Sequence, residues 1–180
     1  MKIDIEDKMN IPEGVEVTVE HGVVSAKGPK GEVSKLIRGP NITIDVKDNK
    51  VVLSSKKATK REKRMIGTFK SHIDNLMKGA AEGHVYRLKI ASSHFPMTAA
   101  ENNGEFTVQN FLGEKVPRVI KVKEGAAVKI EGDIITIESA DKEAAGQTAG
   151  DIEQMCRITN RDRRIFQDGI YIIEKSRKAK

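Results

Sequence analysis

The chain has 180 residues, 38% of them hydrophobic but only 4% aromatic, with no Trp, an inventory that suits two small cores of Val, Ile, Leu and Ala better than one large core. Charged residues make up 32% and the formal net charge is +6, a basic balance that points toward a polyanionic partner. Cys156 is the only cysteine, which excludes an intramolecular disulfide and a thiol-rich metal site, and no stretch approaches the ~18 apolar residues of a membrane span.

The opening, MKIDIEDKMNIPEG, alternates charges and carries no apolar secretory core, so a soluble intracellular protein is expected. Val15, Val17 and Val19 alternate before His21-Gly22 and read as a half-buried strand. Gly28-Pro29-Lys30-Gly31 resembles a phosphate loop only superficially. It lacks the Gly-Lys-Ser/Thr ending and does not lead from a strand into a helix, so a turn between strands explains it. Further strands follow at residues 42–46 and 51–53, joined by Lys47-Asp48-Asn49-Lys50, whose Asp and Asn tolerate the positive φ of tight hairpins.

A helix over residues 60–78 comes next. Thr59 and Glu62 fit a capping box, Met65, Ile66, Phe69, Ile73, Leu76 and Met77 form an apolar stripe, and Lys78-Gly79 reads as the stop. Beyond a joint at Ala80-Ala81-Glu82-Gly83, the pattern returns. Tyr86, Leu88 and Ile90 alternate as an opening strand, and residues 128–130 and 134–137 form a hairpin across Glu131-Gly132-Asp133. A second helix is expected over residues 141–157, with Ser139 as N-cap and Ala145, Ala149, Ile152, Met155 and Cys156 as its stripe. Residues 170–173 are expected to return as an edge strand.

These elements recur as an internal repeat. A shift of 82 lays Gly22, Gly31 and Glu32 on Gly104, Gly113 and Glu114, lays Val24-Ser25 on Phe106-Thr107, and brings Ile37 within one residue of Ile120. A shift of 83 then lays Val51-Val52 on Ile134-Ile135 and Ile66 to Phe69 on Ala149 to Ile152. The expected fold class is therefore α+β, two tandem duplicated domains (residues 1–82 and 83–180), each a small antiparallel or mixed sheet packed against one long helix.

Charge is unevenly placed. Residues 83–155 carry 8 basic and 11 acidic residues, whereas residues 156–180 carry 8 basic and 3 acidic, a net of +5. The bland reading of that tail is a solvated helix end. The sharper reading is a phosphate-gripping surface of Arg157, Asn160, Arg161, Arg163, Arg164, Lys175, Arg177 and Lys178, because the guanidinium fork suits phosphate oxygens and base edges. In this reading Lys175 and Arg177 lie close to the arginine loop. Phe166 and Tyr171 nearby either stack on a base or plug the core. A second basic run, Lys56, Lys57, Lys60, Arg61 and Arg64, sits where the helix dipole disfavours cations, an arrangement an anion docked on free N–H groups would offset.

Catalytic and ligand-binding signatures are missing. The four histidines form no metal-binding pair, and Ser92-Ser93-His94 has no acid evidently placed to orient the ring. No cofactor, no metal and no small-molecule substrate are expected, and the chain does not read as an enzyme. A structural RNA binder is the leading reading. A protein-interaction adaptor recruiting partners on exposed strand edges is the runner-up, with an enzyme third.

Several stretches together resemble the sixth large-subunit ribosomal protein family. They are Val24 to Leu36, then His94-Phe95-Pro96, Asn110 to Lys115, Asn160 to Arg164, and Asp168-Gly169-Ile170-Tyr171. The second-half motifs are similar to its archaeal and eukaryotic branch, and the length to an archaeal member. The resemblance implies two duplicated α+β domains on the large subunit, in the cytoplasmic ribosome, near the stalk base and the factor-binding side. It also implies large-subunit rRNA and neighbouring large-subunit proteins as partners, translation factors nearby, no membrane, and the main rRNA contact in the second domain. It leaves the first basic run open to a second rRNA segment, a neighbouring protein or solvent.

Overall fold

The computed structural model describes residues 3–93 and 95–176; His94, Arg177, Lys178 and Lys180 lie outside them. The chain divides into two compact units, one ending at Gly83 and the other beginning at His84. The first contains β1 (Ile3–Asn10), β2 (Glu16–Glu20), β3 (Val23–Gly28), β4 (Gly31–Leu36), β5 (Thr43–Lys47), β6 (Lys50–Ala58) and α1 (Lys60–Ala81). The second contains β7 (His84–Ala91), β8 (Thr98–Asn102), β9 (Glu105–Gln109), β10 (Arg118–Lys121), β11 (Ala126–Glu131), β12 (Ile134–Ser139), α2 (Lys142–Met155) and β13 (Gly169–Glu174), with a short 3-10 turn at Phe111–Gly113.

The α+β duplication holds, and each unit carries two small antiparallel sheets rather than one. In the first unit they run β1-β6-β5 and β2-β3-β4, in the second β11-β12-β7-β13 and β10-β9-β8. The helix of each unit packs against strands of both its sheets: α1 on β3, β4 and β6, and α2 on β7, β12 and β10. Val24, Ala26, Val51, Leu53, Ile66 and Ile73 form the first core, and Leu88, Phe106, Val108, Ile135, Ile137 and Ile152 the second.

The hydrogen bonds refine the repeat. Gly22 and Gly104 close matching hairpins at φ +85° and +79°, each after a residue that is also left-handed, His21 and Asn103. The shift of 82 is right there. The carbonyl of Gly22 accepts from Ile37, and that of Gly104 accepts from Val122, both at 2.8 Å. Ile37 therefore corresponds to Val122, not to a neighbour of Ile120, because the second copy lengthens the β9–β10 connection.

The opening strands also need correction. The counterpart of β7 is β1, not the Val15–Val19 strand: Ile11 donates to the carbonyl of Asn49 as Ile90 does to that of Asp133. In β6 and β12 the buried series are Val51, Leu53, Ser55 and Ile135, Ile137, Ser139, a shift of 84 rather than 83. One residue matters here because it exchanges the two faces of a strand.

The capping box of α1 forms, with Thr59 Oγ1 accepting from the Arg61 N–H at 3.2 Å and Glu62 accepting from the Thr59 N–H at 2.8 Å. Lys78-Gly79 does not end the helix. It runs to Ala81 and stops where Gly83 takes φ +81° and donates to the Gly79 carbonyl at 3.0 Å. The N-cap of α2 is Asp141, whose side chain accepts from the Glu143 N–H at 2.9 Å. Ser139 lies further back and buried, donating to the Gly125 carbonyl at 2.7 Å and accepting from the Asp141 N–H at 3.1 Å. The edge strand expected from residues 170–173 forms as β13, paired antiparallel with β7.

Candidate nucleic-acid interface

The arginine-rich segment begins where α2 runs out. Arg118 of β10 donates through Nη1 to the Met155 carbonyl, placing a cation on the negative end of the helix. Its guanidinium also lies 4.2 Å from the Phe111 ring centroid and pairs with Glu114 at 2.6 Å. That hydrogen bond holds the Glu114 carboxyl below its usual range and raises Arg118 further. Cys156 caps the helix from a buried position, and burial pushes its thiol up to about 11.

From Arg157 the chain turns outward. Asn160 adopts a left-handed φ of +57°, a conformation Asn tolerates well. Asp162 then builds a tight turn: its side chain accepts from the Arg164 N–H at 2.9 Å, and its carbonyl accepts from the Phe166 N–H at 2.9 Å. Arg164 also folds back on the Asp162 carboxylate at 2.8 Å, although its side chain is 90% exposed. That contact lowers the Asp162 pKa and raises that of Arg164. Arg161 lies over the Phe166 ring, 4.9 Å from its centroid. Arg157, Asn160, Arg161, Arg163 and Arg164 are all exposed.

The return of the loop is anchored. Asp168 is buried and accepts two hydrogen bonds from Ser93, from its N–H at 2.7 Å and its Oγ at 2.6 Å. An acid therefore does sit beside Ser93, but it bonds the hydroxyl directly and braces a loop. Between the end of α2, the loop and the start of β13 opens a cleft of about 330 Å³, whose lining includes Glu153, Gln154, Arg157, Ile158, Arg163 and Tyr171.

The single cationic surface is only partly realised. Arg157 and Arg163 share the cleft, Arg161 and Arg164 stand on the adjoining turn, and Lys175 lies elsewhere. β13 starts beside Ala91, next to Ser93, and runs away from the loop. Ser176, the neighbour of Lys175, is hydrogen-bonded to His84 at the opposite end of β7, 2.7 Å away. At roughly 3.3 Å per residue the strand carries Lys175 about 20 Å from the loop. Returning to the sheet thus separates Lys175 from the arginines. Arg177 and Lys178 lie outside the described residues.

The basic run of the first unit is also exposed. Lys56 and Lys57 lie at an irregularity in the β1–β6 pairing, where Lys57 takes φ +51° and its N–H donates to Asp4 at 2.7 Å. Lys60, Arg61 and Arg64 occupy the first turns of α1, and Arg64 Nε donates to the Lys60 carbonyl at 3.3 Å. Two of the N–H groups expected to await an anion, those of Thr59 and Arg61, are already used by the capping box. Glu62 supplies the negative charge at this helix end, its pKa lowered by hydrogen bonds to Thr59. Among the described residues no group of three or more His, Cys, Asp or Glu side chains is placed to hold a metal ion, and no helix is long and apolar enough to cross a membrane.

The sequence profile of the ribosomal protein L6 family matches residues 11–83 and again residues 98–169, one stretch in each unit. The chain belongs to the ribosomal protein L6 family. It is 45% identical to the large ribosomal subunit protein uL6 of Methanobrevibacter smithii over 95% of this chain and 96% of that one. Identity to the uL6 of Methanosarcina mazei is 42%, over 96% and 98% of the two chains. Identity to that of Natronomonas pharaonis is 39%, over 97% and 96%. The chain is an archaeal-type member of the family, a ribonucleoprotein component of the cytoplasmic translation machinery.

The Asp168–Ser93 brace and the capping Arg118 escaped sequence reasoning. A buried, hydrogen-bonded acid has the same letter as a solvated one, and only the motif around Asp168-Gly169 marked the position.

Proposed function

We propose that this chain is a structural, non-enzymatic constituent of the large ribosomal subunit that grips large-subunit rRNA with the turn Arg157–Arg164 of its second unit. One observation carries the reading: five exposed side chains suited to phosphate, four of them arginines, stand on a turn held by its own hydrogen bonds and anchored through buried Asp168. Ordering such a turn in advance reduces the entropy cost of docking. Arg164 exchanges Asp162 for phosphate on binding, a replacement of one charge-assisted contact by another.

The family likeness supports a place near the stalk base and factor-binding side, with neighbouring large-subunit proteins as further partners and translation factors close by. Residues 1–82 and 83–180 are proposed as separate domains, with the second making the main rRNA contact and the basic run at Lys56–Arg64 a subsidiary one. The test is co-sedimentation with large subunits through a moderate salt wash, together with titration of purified large-subunit rRNA at several salt concentrations. Phosphate contacts release counterions, so log K should fall steeply and linearly with log salt. Salt-independent binding, or none, rejects the proposal and favours a protein-interaction role.

A further inference from the structure

The cleft at the end of α2 has a composition that the phosphate grip alone does not need. Its lining joins two exposed arginines, Arg157 and Arg163, to an aromatic wall, Tyr171, over an apolar floor that includes Ile170. The ring of Tyr171 is fixed. Its hydroxyl donates to the Gln167 carbonyl at 3.1 Å, and the ring packs so closely over Gly169 that a Cβ there would lie 3.0 Å from it. Even so, Tyr171 stays 42% exposed.

Phe166, the other aromatic of this segment, already lies under the Arg161 guanidinium, and that leaves Tyr171 as the ring open to a ligand. Glu153 completes the lining. One of its oxygens accepts from the Ile172 N–H at 3.1 Å, and a carboxylate in this place repels phosphate while accepting from base N–H groups. A volume of about 330 Å³ is at the small end of ligand sites and far too small for a helix.

We infer that this cleft takes a single unstacked nucleotide of the bound RNA, its base against Tyr171 and its phosphates on Arg157 and Arg163. The inference rests on the rRNA-binding reading above and deepens it, because RNA is read in sequence-specific fashion through bases that leave the stack and lie on aromatic or guanidinium planes. It adds Tyr171 and Glu153 to the interface and makes the second unit a reader of a loop, bulge or strand end rather than of duplex alone.

The test titrates the full-length protein and its variants with deproteinised large-subunit rRNA across a salt series. Tyr171→Leu should weaken binding about 5- to 150-fold, the range for losing one base–aromatic stack, while leaving the log K against log salt slope unchanged. Tyr171→Phe keeps the ring and should bind within about threefold of the natural chain. Arg157→Ala should instead flatten the slope by about 0.7. Ultraviolet cross-linking followed by mass spectrometry should place a nucleotide adduct on Tyr171.

Unchanged affinity in Tyr171→Leu, with the slope still sensitive to the loop arginines, overturns the nucleotide cleft and leaves the rRNA reading standing. Equal losses in the Leu and Phe variants overturn it as well, since the ring would then be irrelevant. A natural chain that fails to bind the rRNA at all removes both. Displacement of the rRNA by free 5′-mononucleotides at millimolar concentration would show a site for soluble nucleotides and would likewise overturn the inference.

Discussion

Asp168 reaches Ser93 across 75 residues of chain and accepts from both its N–H and its hydroxyl, at 2.7 and 2.6 Å. The pair ties the return of the arginine turn to the segment just after β7, so the stability of the second unit and the order of the candidate interface depend on the same bonds. Removing the buried acceptor breaks two bonds worth at most about 1.5–3 kcal/mol each, and the net loss is smaller because Ser93 is exposed and its two donors can turn to water. Asp168→Ala should lower the stability of the second unit by about 2–4 kcal/mol in urea denaturation and weaken rRNA binding. Asp168→Asn, which keeps an acceptor for the Ser93 N–H, should cost about half as much. Equal stability of the Ala variant and the natural chain would mean that the brace is idle.

The arginine turn is tested by charge. Replacing Arg161, Arg163 and Arg164 together with Ala should flatten the log K against log salt slope by about two units, at roughly 0.7–0.9 per phosphate contact. None of the three is buried, so the fold should survive. The matched control replaces Lys56, Lys57 and Lys60 in the first unit. Should the control abolish binding while the arginine variant keeps its affinity and slope, the principal site has been placed on the wrong unit.

Gly28-Pro29-Lys30-Gly31 is held by helix packing rather than by any phosphate. A Cβ on Gly28 would lie 2.5 Å from the Ala80 carbonyl oxygen, and the Lys30 N–H donates to that same oxygen at 3.0 Å. Gly28→Ala should push the end of α1 from the sheet and cost about 1–3 kcal/mol or more, as overpacking does. Lys30→Ala removes only an exposed side chain and should be neutral. A phosphate loop would show the reverse, with the lysine change decisive for ligand binding and the glycine change mild in stability.

Cys156 makes a pH prediction. Its thiol is raised to about 11 from an ordinary 9.0, chiefly by burial. The unfolded chain loses this proton first, so between pH 9 and 11 the native state holds more protons and stability falls as pH rises. The contribution is fully present below pH 9, and its loss amounts to about 2–3 kcal/mol by pH 11. Comparing the natural chain with Cys156→Ala isolates the effect, because other groups titrate alike in both. The stability difference should drift against the natural chain through that window, and parallel curves would rule the effect out.

Both helices, strands β2, β5, β6, β7, β11, β12 and β13, the duplication and the cap of α1 were legible in the sequence, whereas β8, β9 and β10 were not. Each legible feature depends on neighbours in the chain: period-2 alternation, a helical stripe, a Thr three residues before a Glu. The arginine turn was legible for the same reason, as charge dense along the chain. β1 escaped notice because it is a charged edge strand, with Met9 its one buried residue, and edge strands carry charge to discourage further pairing.

Only the tertiary structure decided which copies of each strand correspond, since alternation repeats every two residues and cannot separate a shift of 83 from one of 84. Ser55 against Ser139, both buried at the same step, settles that register. Tertiary structure likewise sent Lys175 to the far end of β13, occupied Phe166 with Arg161 and left Tyr171 open beside Arg157 and Arg163. Sequence proximity had grouped all of these together. A strand, however, moves a residue about 3.3 Å at every step, and six steps were enough to divide one apparent patch into two places.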